Sequence, residues 1–206
     1  MAYEAELMTG FLVKKDFSID EESIIYDETQ MMCAEITGFA YGATETRVSG
    51  IKANTEYRFE FVDSSEDRIK FTFVNALLGS PNPLDADQRI TEEIWKCFGN
   101  RILQETISKI SLGMAVEINK VMFSRYGITI PHRPLFGSNS DFLVPWEDME
   151  CEVEMGQVTL FTQTERKARA VFTLNMDINA HIVLELFYEI GRNSELISKL
   201  TGRKKN

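Results

Sequence analysis

The chain is poor in the residues that most often carry chemistry or cross-links: 206 residues include three cysteines, two histidines, five prolines and two tryptophans. Cys33, Cys97 and Cys151 are odd in number, lie far apart and form no C-x-x-C. Neither a disulfide framework nor a zinc knuckle is expected, and a reducing compartment fits. His132 and His181 are too few for a histidine-rich metal site, and no local motif supports a nucleophile pair such as Cys151 with His181. There is no phosphate loop, no dinucleotide-binding glycine signature and no zinc-protease helix, so no cofactor is expected. No run reaches the ~18 apolar residues of a membrane span. The opening Met1-Ala2-Tyr3-Glu4-Ala5-Glu6 carries two acids where a secretory signal needs a basic lead, so the expected address is the cytoplasm.

Positive charge is also scarce. Against 32 acidic residues stand 22 basic ones, a formal net charge of -10, which repels nucleic acid and anionic membranes. The one basic cluster is terminal, Gly202-Arg203-Lys204-Lys205-Asn206, where Arg203, Lys204 and Lys205 offer at most a weak contact with a membrane. Hydrophobic residues make up 44%, with 14 phenylalanines, enough apolar area to offset chain entropy in a folded core.

What is abundant is alternation. Tyr57, Phe59 and Phe61 alternate with Arg58 and Glu60; Ile69, Phe71 and Phe73 alternate with Lys70 and Thr72. A polar turn at Asp63 to Asp67 separates the runs, which predicts an antiparallel hairpin with one aromatic face buried. After Gly79-Ser80-Pro81-Asn82-Pro83, Asp85 or Asp87 caps a predicted helix over 86–110, with Ile90, Ile94, Phe98, Ile102, Leu103, Ile107 and Ile110 on one stripe and Gly113 as its stop. Gly38, Gly42 and Gly50 lie in a turn-rich stretch that reads as bending strands around a small barrel.

The pattern then restarts, with Val116 to Phe123 and Gly127 to Ile130 expected as short strands. Ile19-Asp20-Glu21-Glu22-Ser23-Ile24 matches Phe123-Ser124-Arg125-Tyr126-Gly127-Ile128 in type: a buried residue, a polar turn, then isoleucine. A second hairpin is expected from Gln157 to Leu174, and a second helix over 178–191, capped by Asn175 or Asp177 and closed by Gly191. The expected organisation is α+β, with units 1–112 and 113–206, each an antiparallel β-barrel or sandwich closed by a C-terminal helix; the basic tail follows the second.

Strands followed by one amphipathic helix, with Tyr126-Gly127-Ile128, Leu143-Val144-Pro145-Trp146-Glu147-Asp148-Met149, Glu154-Met155-Gly156-Gln157-Val158 and the helix from Asn179, resemble the pleckstrin-homology-like (PH-like) fold. The second half is similar to bacterial PH-like domains of unknown function. That resemblance implies binding of phosphoinositides, peptides or proteins. Phosphoinositide-binding members carry Lys and Arg between their first two strands, where this chain has Asp20-Glu21-Glu22 and Ser124-Arg125-Tyr126, which disfavours lipid.

Pro131 to Asp141 is the longest stretch without a periodic pattern. As a recognition loop it would use His132, Arg133 and Asn139 as polar contacts and Phe136 as an apolar anchor; a plain connection is the alternative. Glu147 and Asp148 beside Trp146 invite an acid–base reading, but adjacent strand residues face opposite ways, and the indole fits the core. No catalytic residues are expected. The function expected is non-catalytic protein–protein binding, with a small-molecule or lipid barrel lined by the aromatic stripes as the alternative.

Overall fold

The structure, a computed structural model, describes residues 2–9, 13–49, 51–74, 83–132, 140–164, 168–191 and 193–201. It is α+β. The strands and helices in chain order are β1 (Tyr3–Thr9), β2 (Val13–Ile19), β3 (Ser23–Tyr26), β4 (Thr29–Met32), β5 (Ile36–Val48), β6 (Ile51–Asp63), β7 (Arg68–Val74), α1 (Pro83–Ile94), a π turn (Trp95–Gly99) and α2 (Asn100–Ser111). Then follow β8 (Val116–Ile118), β9 (Val121–Ser124), β10 (Gly127–His132), β11 (Ser140–Val144), a 3-10 turn (Trp146–Asp148), β12 (Glu150–Glu154), β13 (Gln157–Phe161), β14 (Arg169–Thr173), α3 (Ala180–Leu186), a second π turn (Phe187–Gly191) and α4 (Ser194–Thr201). The chain divides into two compact units, Met1–Ile102 and Leu103–Asn206. The division falls inside α2, whereas the expected boundary lay at 112/113.

In the first unit, β1 to β4 form one antiparallel sheet and β5 to β7 another. The aromatic alternation sets the register: Tyr57 pairs with Phe73, Phe59 with Phe71 and Phe61 with Ile69. All six are buried, each contributing about 1.5–3 kcal/mol by leaving water. Phe71 also meets Phe17 of β2, with ring centroids 5.1 Å apart, and Tyr26 of β3 at 4.6 Å, so the two sheets pack face to face. Phe98 of the π turn seals this core with centroids 5.6 Å from Phe39 and 5.8 Å from Phe61.

Among the described residues no sheet closes into a barrel. Among the described residues the four sheets are separate meanders, because each strand pairs with its neighbours in sequence and no ladder joins a last strand to a first. In the first unit the turn at Cys33 to Glu35 sends the chain into a new sheet after β4. Gly38 and Gly42 both lie inside the 13-residue β5, whose register shifts near Gly38 as a bend in the strand would require, and Gly50 lies outside the described residues. A position without a side chain is tolerated there because Phe39 and Tyr41, on the opposite face, supply the packing.

The first helix starts at Pro83, where a missing N–H is harmless and the fixed φ already suits a helix. Asp87 therefore lies within α1 and is not its cap; the side chain of Asp85 lies outside the described residues. The helix stop is as expected: Gly113 has φ +86°, its N–H donates to Ile110 O and that of Met114 to Lys109 O, closing the end in a Schellman motif.

In the second unit, β8 to β11 form one antiparallel sheet and β12 to β14 another. The expected single strand from Val116 to Phe123 is a hairpin: Asn119 and Lys120 both have positive φ, and Ile118 pairs with Val121. Phe123 pairs with Ile128 across the next turn as Ile19 pairs with Ile24 in the first unit. Trp146 is fully buried in the 3-10 turn rather than on a strand, its Nε1 donating to Ser124 O at 2.8 Å. Asp177 does not cap α3; its carboxylate accepts the Thr173 N–H at 2.6 Å and fastens the turn after β14. α4 was not anticipated.

Both helical segments loosen into a π turn that begins with an aromatic and ends with glycine. A Cβ on Gly99 would lie 2.8 Å from Trp95 Cε3, and one on Gly191 would lie 2.9 Å from Phe187 Cδ2. Only hydrogen fits beneath either ring.

Candidate functional site

Strand alternation in the first unit turns Tyr57, Phe59 and Phe61 inward and therefore turns Arg58 and Glu60 outward. Lys70 stands opposite Glu60 on β7, and Arg68 begins that strand beside it. On the other side of β6, Ala40 pairs with Glu60 and Gly42 with Arg58, so β5 contributes no bulk there. A charged cluster thus occupies the outer face of β6 and β7.

Glu60 is its centre, and is buried. Its Oε2 accepts Arg58 Nη2 at 2.9 Å, its Oε1 accepts Arg68 Nη1 at 2.6 Å, and Lys70 Nζ stands 3.8 Å away. Burial by itself pushes the carboxyl's pKa up, but the two guanidinium hydrogen bonds and the nearby ammonium outweigh it and hold the pKa below the usual glutamate value. Three cations converge on one anion, and the side chains of Arg68 and Lys70 remain 55% and 52% exposed. Glu56 faces the same way further along β6, exposed and, among the described residues, outside this cluster.

Arg58 is the most enclosed of the three. Its Nε is buried and, among the described residues, has no hydrogen-bond partner. The arrangement suits a carboxylate or another compact anion, which planar guanidinium groups grip in two-point geometry. In the second unit, the outer face of β12 to β14 holds an open depression of about 530 Å³ lined by Glu152, Phe161, Thr162, Gln163 and Arg169.

Of the residues expected to bind, His132 ends β10, half-buried, its ring centroid 5.9 Å from that of Phe142. Arg133, Phe136 and Asn139 lie outside the described residues, as do Arg203, Lys204 and Lys205 of the tail. The ends of the expected loop are strand: Pro131 pairs with Asp141 and His132 with Ser140. Glu147 and Asp148 are exposed on their turn, Cys151 is half-buried on β12, and His181 is buried in α3. Among the described residues no three His, Cys, Asp or Glu groups could hold a metal ion, and no helix is long and apolar enough to cross a membrane. The rings of the aromatic stripe pack on one another, Tyr57 on Phe73 at 5.0 Å and Phe59 on Phe71 at 5.3 Å.

The cationic cluster was visible in the sequence as the polar half of the first hairpin's alternation. Its convergence was not, because Arg68 precedes the alternating run and reaches Glu60 only through the cross-strand register. Comparison of the chain with protein-family models, with curated proteins and with solved structures finds no match.

Proposed function

We propose that the chain is a non-catalytic binding protein of two PH-like units, and that its partner is a protein segment rich in Asp and Glu, docked on the outer face of β6 and β7. The observation that carries the docking role is the surplus of positive charge around buried Glu60 in a chain whose net charge is -10. Such a surplus is free to pair with an incoming carboxylate, steering it to this face and away from the acidic remainder. The two-unit reading draws support from the repeated order of a four-stranded sheet, a three-stranded sheet and a helix broken by a π turn.

Fluorescence anisotropy of a labelled glutamate-rich peptide tests the docking role. The peptide binds the natural chain more tightly than a neutral peptide of equal length, and the double variant Arg68→Glu, Lys70→Glu weakens it at least tenfold; higher salt weakens it further. Equal affinity for both peptides, or an unaffected double variant, refutes the assignment. Tighter binding to phosphatidylserine vesicles than to the peptide moves the ligand from protein to membrane and equally refutes it.

A further inference from the structure

The geometry points to a second binding site, in the second unit: the depression on the outer face of β12 to β14 takes a short peptide with free termini, about three residues long and with an apolar side chain in the middle. The ladder registers place its walls and floor. Glu150 pairs with Phe161 and Phe161 with Arg169; one step along, Glu152 pairs with Thr159 and Thr159 with Val171. Strand alternation puts all six on one face. The middle strand is recessed: Thr159 is 7% exposed and Phe161 half-buried, while Glu152, Val171 and Arg169 on the flanking strands are exposed. The result is a hollow of about 530 Å³ with a carboxylate on one wall, a guanidinium on the other and an aromatic ring between them.

Glu152 and Arg169 do not neutralise each other. Among the described residues neither side chain has an ion-pair or hydrogen-bond partner. The reason is the strand between them: β12 and β14 lie two strand spacings apart, about 10 Å. A ligand that carries both charges bridges that gap. Three residues at full extension also span about 10 Å, so a tripeptide's ammonium meets Glu152 while its carboxylate lies against Arg169, whose guanidinium grips it at two points. The ammonium end has further acceptors. Gln163 Nε2 donates to Glu150 Oε1 at 2.6 Å, which steadies both side chains and leaves Gln163 Oε1 and Glu150 Oε2 to accept from the ligand. Phe161 supplies the apolar surface for the middle side chain. An internal segment of a long polypeptide has neither charged end, and a single amino acid holds its charges too close together to reach both walls.

Isothermal titration calorimetry of the full chain with glycyl-leucyl-glycine tests the site. The free tripeptide binds one to one, and acetylating its amine or amidating its carboxylate weakens binding at least tenfold. Glu152→Gln weakens the free peptide to the level of the acetylated one without further weakening the acetylated peptide; Arg169→Gln does the same for the amidated peptide. Both side chains are exposed, so the variants keep the fold, and the comparison of free with blocked peptides on the natural chain needs no variant. Blocked peptides or leucine alone binding as tightly as the free tripeptide, or no saturable heat at millimolar peptide, overturns the inference. Because β6 and β7 belong to the other unit, the double variant Arg68→Glu, Lys70→Glu leaves tripeptide affinity unchanged; a tenfold loss in that variant places the peptide on β6 and β7 and also overturns it.

Discussion

Replacing Glu60 by glutamine keeps the side chain's shape and removes its charge, so it separates what the cluster does for stability from what it does for binding. Glu60 is 5% exposed and holds two guanidinium groups at 2.9 and 2.6 Å. Charge-assisted hydrogen bonds contribute about 1.5–3 kcal/mol each, and losing one partner of a buried pair costs about 3–5 kcal/mol. Arg68 and Lys70 are half exposed and recover water, which lowers the expected loss to roughly 2–3 kcal/mol. For a unit of this size that is on the order of 10–20 °C in melting temperature. The pKa direction adds a sign that can be checked. The folded-state pKa lies below 4.5, so the charge stabilises the fold above that pH and the contribution disappears as pH falls through the folded value. Natural chain and variant therefore differ at pH 7 and converge in acid. Binding moves the other way: with one negative charge fewer, the glutamate-rich peptide gains about 1 kcal/mol, roughly fivefold in affinity. Calorimetric melts across pH, paired with anisotropy at a temperature where both proteins are folded, read both effects. Equal melting temperatures at pH 7, or weaker peptide binding by a folded variant, refute the reasoning.

Two other substitutions probe the scaffold. Gly127 has φ +145°, and a Cβ there would lie 2.1 Å from Val144 O and 2.9 Å from Pro145 Cα, so Gly127→Ala must break the pairing of β10 with β11; it destabilises the second unit by about 3 kcal/mol or more in urea melts, and a loss under about 1 kcal/mol contradicts the geometry. Asp87, inside α1, is pushed up to about 6 by burial, so its ionisation costs stability increasingly as pH rises from 3.8 through 6. Asp87→Asn therefore stabilises by about 1–2 kcal/mol at pH 7 and by nothing at pH 3, a contrast that denaturant curves at the two pH values reveal.

Periodicity by itself settled the hairpin of β6 and β7, the apolar stripe of the first helix and the helix stop at Gly113, since each follows from local chemistry: which side chains alternate, which repeat every turn, which backbone accepts positive φ. It also identified Trp146 as a core residue. It misplaced the start of α1, because proline at a first helical turn reads as a breaker until the helix is seen to begin there. It merged β8 with β9, because a two-residue turn leaves almost no polar gap. Only the tertiary structure decided what depends on register and on residues distant in sequence. Arg58, Arg68 and Lys70 converge on Glu60 because two strands pair at one offset and no other; Arg101 reaches the carbonyls of Cys33 and Ile36 because the helix folds back over the turn after β4. Local pattern encodes which face a side chain takes, while its neighbours across a sheet or beneath a helix are chosen by the packing of the whole unit.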